Sequence, residues 1–392
     1  MTLQDEKVYS GGMVTRLSSR GIPFSVWEEP MPRIPDAALH CVVYLYPSEF
    51  DAYQGKKIGG TGFVVGVPSL ANPKEHHLYI VTNKHVALGL EDEDACPFVR
   101  INMRETGTEG HNPLFPHRIK AGKQDVKTMD VLPLTVKDWT PHPAGDDLAV
   151  CPVGLSREHY SYTYISTDMF LDEGKMRSWY IGPGDDIYMV GRFINHEGQQ
   201  KNSPTVRYGV ISMLPGDPIK HPDDHMQESF LIEMKSQSGY SGSPVFVYGD
   251  KDRFRNEHNM SMHLLLGVDW GQLLGRPEPV LTREPDLGTG EWKYKPTNQF
   301  FTRYPTGMAK VVPAWRLLGL LNMDKFKMQR EGQDQIIADA RERARTELDS
   351  ASDEHSNFLA GLKQVLSVSK EELDRRLQAD KEQRKKKRKE AP

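Results

Sequence analysis

Gly239-Tyr240-Ser241-Gly242-Ser243-Pro244-Val245-Phe246-Val247-Tyr248 is a glycine-rich turn that runs straight into a short apolar strand. Turn followed by strand is the unit from which the middle of this chain is built. Upstream, Cys41–Tyr46, Gly62–Val67, Leu78–Thr82 and Leu148–Cys151 are short runs rich in Val, Ile and aromatic residues. Ile187–Gly191, Val206–Ile211, Phe230–Met234, Val245–Tyr248 and Leu264–Val268 form a second series. Gly, Pro, Asn and Asp separate the runs between about Ile34 and Leu214, which is the spacing of an all-β region. Strands this short leave sticky edges unless the sheet closes, so two successive barrels of about six strands each are expected.

After Met308 the period becomes helical. Pro313 opens a short helix carrying Trp315, Leu317, Leu318 and Leu321, suited to closing a barrel. Ile336, Ile337, Ala340, Ala344 and Leu348 recur at three- and four-residue steps, as do Phe358, Leu359, Leu362, Val365 and Leu366. Ser369 with Glu372 reads as a capping box for a last helix that ends in the basic run Arg384–Lys389. The organisation read from these changes is an N-terminal extension over 1–34, a first barrel over 35–170, a second barrel with its closing helix over 171–321, and a charged helical tail over 322–392.

The chain has 392 residues, 38% of them hydrophobic, with 50 basic and 54 acidic side chains and a net charge of −4. Such a balance excludes a surface that is basic throughout, so a nucleic-acid signal has to be local. The run Arg384–Lys389 is the local candidate. It reads first as a solvated helix face, with nucleic acid, an anionic surface or an acidic partner as the alternative. Cys41, Cys96 and Cys151 show no redox or metal spacing, and no disulfide framework is expected. The first 18 residues lack the apolar stretch of a secretory signal, and no run approaches the roughly 18 apolar residues of a membrane span. A soluble cytoplasmic protein of a reducing compartment is the expectation.

Three segments carry chemistry. Hydrolysis by a serine needs a nucleophile, a base to deprotonate it, a group that fixes the base's tautomer, and donors for the developing oxyanion. In Gly239–Pro244 the glycines permit a tight turn that aims the amides of Gly239 and Ser241 at one point. Val81-Thr82-Asn83-Lys84-His85-Val86-Ala87 sets a histidine at the end of a strand, and Gly145-Asp146-Asp147-Leu148-Ala149-Val150 sets a carboxylate before another.

Taken in the order His, Asp, Ser, with Gly60-Thr61-Gly62-Phe63 ahead of them, these segments resemble the trypsin-like serine protease family over about residues 35 to 318. The bacterial HtrA-type and glutamyl-endopeptidase-type branches, without a PDZ domain, are the nearest in flavour. Gly182–Gly191, Tyr208–Ser212, Gly267–Gly271 and Gly307–Ala314 resemble the segments that build the second barrel there. The fold this implies is mainly β, two six-stranded antiparallel β-barrels with the site between them, followed here by the charged α-helical tail. The resemblance makes His85 the base, Asp147 its orienter in preference to Asp146, and Ser241 the nucleophile, with Gly239 and Ser241 forming the oxyanion hole. It implies a serine endopeptidase acting on protein or peptide substrates without a cofactor or metal. A protease-fold scaffold acting through its tail is the alternative.

The resemblance also places Asp269, Trp270 and Gly271 on the strand that holds substrate, and Lys235, six residues before the nucleophile, at the base of the side-chain pocket. Lys235 would favour acidic residues there, unless Asp269 neutralises it. Where many relatives carry Asp to receive a new N-terminal ammonium, this chain has Tyr240, so activation by that ion pair is not expected. His221-Pro222-Asp223-Asp224-His225 has metal-capable side chains but reads as a solvated loop. His76-His77 reads as a loop too. Gln272–Thr306 reads as a long loop, either a specificity lid or an inert insertion. The apolar stripes of the tail need cover, from the barrels, a second copy or another protein.

Overall fold

A computed structural model describes residues 16–17, 23–24, 34–55, 59–72, 74–89, 95–104, 128–194, 198, 201–221, 225–236, 239–249, 262–285 and 292–349. The chain divides into two compact units, Met1–Pro35 and Asp36–Pro392. In the first, Arg16–Leu17 pairs antiparallel with Pro23–Phe24. Everything below concerns the second. The capping box at Ser369, the stripe Phe358–Leu366 and the basic run Arg384–Lys389 lie outside the described residues.

The second unit is mainly β. Its first half is an eight-stranded sheet. Met129–Pro133, Phe98–Asn102, Val42–Tyr46, Gly60–Pro68, His76–Thr82, Ala149–Val153 and Thr140–Pro141 follow one another across it, and Ile165–Ser166 pairs parallel to Gly60–Pro68. The strand spacing predicts a closed ring here, but among the described residues the sheet stays open, a half-barrel. Its end strands are Met129–Pro133, which lines up only with Phe98–Asn102, and the two-residue Thr140–Pro141, too short to bridge the gap. Curvature still gives it a core of Val43, Leu45, Val64, Ile80, Val99 and Ala149.

The second half closes as expected. Asp186–Gly191, Thr205–Met213, Phe230–Glu233, Pro305–Pro313, Met262–Leu274 and Pro244–Gly249 form a six-stranded antiparallel barrel. Ile187, Met189, Ile232, Val245, Leu266 and Val311 fill it, each at most 1% exposed, because alternate residues of each strand point inward. The helix Ala314–Leu321 follows directly; Leu317 and Leu321 are fully buried as the apolar spacing predicts, Leu320 is buried with them, and Trp315 and Leu318 are half-buried.

Among its described residues, Gln272–Thr306 is not a loop. The strand from Met262 runs on to Leu274, and Glu278–Pro285 pairs with Trp292–Thr302 as an antiparallel ribbon. Its prolines hid the strand pattern; ribbon edges tolerate Pro because half of their amide groups have no ladder partner.

Two arginines with no exposed surface join the halves. Arg100, on the open sheet, donates to Asn202 at 2.7 Å and to the Ala52 carbonyl at 3.2 Å, and it faces the Tyr44 and Tyr46 rings. Arg192, at the end of a barrel strand, lies 4.1 Å from the Tyr46 ring centroid and donates to the Leu45 carbonyl. Guanidinium groups tolerate such burial because they stack flat on aromatic faces while donating in their own plane. Cys41, Cys96 and Cys151 are buried and not joined in disulfides. No helix among the described residues is long and apolar enough to cross a membrane.

Candidate active site

Strand register brings the histidine to the aspartate. His76–Thr82 and Ala149–Val153 are antiparallel, with Thr82 opposite Ala149. Residues just past Thr82 therefore lie beside residues just before Ala149. His85 sits in the short helix Lys84–Leu88 that follows the first strand, and Asp147 two residues ahead of the second. His85 Nδ1 is 2.6 Å from Asp147 Oδ2, and the His85 amide donates to Oδ1 at 2.9 Å. The buried Asn83 side chain donates to the Asp147 carbonyl, and the Asp147 amide donates to the buried Gln227 side chain. Both ends of this carboxylate's residue are thus fixed.

Asp146 has different company. Its carboxylate, 1% exposed, lies 3.3 Å from His142, 3.4 Å from His225, and accepts from Arg316 of the closing helix. It ties three segments together and makes no bond to His85 among those described.

Ser241 is half-buried in a turn anchored on the open sheet. The Thr61 amide donates to the Ser241 carbonyl at 2.9 Å, and Thr61 Oγ1 to the Gly239 carbonyl at 2.6 Å. Thr82, three residues before His85, donates its hydroxyl to the Thr61 carbonyl at 2.6 Å. A short chain of contacts therefore links the serine turn to the histidine strand. Gly239 and Gly242 have φ of 95° and 87°, and a Cβ on Gly242 would lie 2.0 Å from the Thr61 carbonyl oxygen. Only glycine lets the turn approach the sheet this closely.

Asp269 lies behind the turn. Its carbonyl accepts from the Gly242 amide and its amide donates to the Ser243 carbonyl. The carboxyl is fully buried, accepts from Ser236 at 3.1 Å and faces Lys310. Burial pushes it up to about 7, although Ser236, the Gly271 amide, Lys310 and His85 all act in the other direction. Trp270 donates to Ser229 and lies between His221, with ring centroids 5.0 Å apart, and the Lys310 ammonium, 3.5 Å from its centroid. Gly271 continues the strand with a φ of 134°. Lys235 is exposed, and the charge that Asp269 faces belongs to Lys310 instead.

Sequence reading missed His221. His221, at the start of the segment read as solvated, has its amide on the His225 carbonyl at 2.7 Å and its ring buried against Trp270. His221 Nε2 stands 3.5 Å from Asp147 Oδ2. Burial alone would raise the Asp147 carboxyl, but the imidazole donors of His221 and His85 more than offset it and hold Asp147 well below the ordinary carboxylate range. Nothing in the flanking Pro and Asp residues signals this position.

No protein-family model matches the chain, and no curated protein matches it. Among solved structures it is similar to the MamO protease domain from Magnetospirillum magneticum, at 13% identity and a TM-score of 0.38, over 73% of this chain and 98% of that one. It is similar also to a variant of the HtrA-type protease AlgW with a tripeptide, at 13% identity and a TM-score of 0.35, over 73% of this chain and 60% of that one. Deg5 matches at 16% identity and a TM-score of 0.33, over 60% of this chain and 81% of that one.

Proposed function

We propose that this chain is a serine endopeptidase that cuts protein or peptide substrates through an acyl-enzyme. The observation that carries the reading is the doubly bonded His85–Asp147 pair, one face of a buried carboxylate fixed on an imidazole that is itself 26% exposed. In the reaction Ser241 Oγ attacks the substrate carbonyl and His85 Nε2 takes its proton. Asp147, held ionised, keeps the remaining proton on Nδ1 and stabilises the imidazolium. The amides of Gly239 and Ser241 meet the oxyanion. His85 then protonates the leaving amine, and water, deprotonated by the same base, releases the acyl group. Asp269–Gly271 holds the substrate backbone.

The test is labelling with a fluorophosphonate probe. Folded wild-type protein should be modified at Ser241, the Ser241→Ala protein should not react, and Asp147→Asn should lower peptide hydrolysis by about 10³- to 10⁴-fold through the wrong tautomer of His85. Unlabelled, correctly folded wild type would leave the scaffold reading in its place.

A further inference from the structure

His221 is not needed for a Ser-His-Asp relay, yet the fold delivers it to the relay's carboxylate. His85, Asp147 and His221 each offer one ligand atom, and the three atoms lie within 4.8 Å of one another. Asp147 and His221 side chains are 2% and 7% exposed, while His85, at 26%, leaves an entry from solvent. The 3.5 Å between His221 Nε2 and Asp147 Oδ2 is longer than the ~2.7–3.2 Å of a strong N–H···O bond. It is close to the ~3.4 Å edge of a tetrahedron built on Zn–N and Zn–O bonds of about 2.0 to 2.2 Å. Two imidazoles and one carboxylate are a borderline donor set that suits zinc and disfavours calcium or magnesium, which take oxygen ligands.

We propose that a zinc ion binds between His221, Asp147 and His85 and reversibly switches this hydrolase off; the switch rests on the catalytic reading above. For the ion to enter, the 2.6 Å contact of His85 Nδ1 with Asp147 Oδ2 opens by roughly 0.8 Å, to that same ~3.4 Å edge. The proton on His85 Nδ1 moves to Nε2 as Nδ1 becomes a ligand, and the proton on His221 Nε2 moves to its Nδ1 as Nε2 becomes one. His85 stays a neutral imidazole and no net proton is released, but Nε2 now presents an N–H towards the serine where it had a lone pair. Such a tautomer cannot accept the Ser241 proton. Asp147, already ionised, supplies the negative charge, and water fills the fourth position.

The experiment is calorimetric titration of the metal-free full-length chain with zinc chloride, alongside peptide hydrolysis with and without the ion. Wild type and Ser241→Ala should each bind one zinc with the same affinity, since Ser241 is not a ligand. His221→Phe, which keeps a ring against Trp270 without a nitrogen donor, should bind at least about tenfold more weakly, as should His221→Ala. Zinc should abolish wild-type hydrolysis, chelation should restore it, and whatever hydrolysis His221→Phe retains should resist zinc. Full-strength binding in both His221 variants would place the ion elsewhere and overturn the proposal, as would absence of binding in Ser241→Ala. Calorimetry needs no turnover, so a chain that binds zinc but hydrolyses nothing sinks the catalytic reading and the switch while keeping the site. A chain that hydrolyses but ignores zinc sinks the site alone.

Discussion

Asp146 and Asp147 are neighbours of one residue type, and their partners alone separate them. One is locked by Arg316, His142 and His225, the other takes both bonds of His85. Asp269 is a third buried carboxyl, and its case runs opposite to Asp147. Its folded value of about 7 exceeds the ordinary 3.8, so between those values the folded chain holds a proton that the unfolded chain has released. Stability therefore falls as pH rises from about 4 to about 7 and stays lower above, by up to about 4 kcal/mol for a shift of this size. Asp269→Asn, a stand-in for the protonated acid, should melt above wild type at pH 8 and lose that advantage near pH 4.5. Equal losses at both pH values would show that the carboxyl is needed in its charged form.

At the scale of the element, the long helix Asp324–Asp349 forms where the apolar period places one. Of the stripe that the period picks out, Ile336 is 70% exposed, Ala340 is exposed and Ile337 is half-buried. The face that docks carries Phe326, Arg330 and Asp334. Phe326 meets the Tyr79 ring edge-on, Arg330 donates to the Tyr79 hydroxyl, and Asp334 accepts from Ser69 and the Leu70 amide and lies 3.0 Å from His77. Tyr79 belongs to the strand that leads to His85. Deletion after Asn322 should lower the melting temperature, and Phe326→Ala should cost about 3 kcal/mol. Ile336→Ala should change stability by less than about 0.5 kcal/mol. Denaturant titrations of the three proteins check this, and indifference to Phe326→Ala would show the helix to be peripheral.

For the molecule as a whole, the serine turn belongs to the closed barrel and is hydrogen-bonded to the open sheet, so the site exists only when both halves are docked. Tyr240 is part of that assembly. It has no exposed surface, its hydroxyl bonds Thr205, and Arg207 stacks 4.7 Å from its ring centroid. The residue that the family resemblance aligns with an ammonium-receiving Asp is thus a buried tyrosine, which offers no carboxylate. Full-length protein should therefore hydrolyse peptides without N-terminal processing, and adding a residue to its N-terminus should leave the rate unchanged. Activity confined to a form cleaved near residue 30, and lost on adding one residue to that new end, would overturn this.

Local sequence was enough for the strands, the closing helix and the tight turn at Gly239 and Gly242. Each of these follows from chemistry within a few positions: side-chain alternation and backbone freedom at glycine. Which histidine, aspartate and serine to single out came from the family resemblance, and the His85–Asp147 contact itself needed the register of two strands. The open edge of the first sheet, the ribbon after Leu274, the polar docking face of the long helix and the arrival of His221 at Asp147 were decided by tertiary structure. These depend on which distant groups meet. A histidine beside Pro and Asp carries no local mark of burial, and only its meeting with Trp270 and Asp147, far away in sequence, buries its ring.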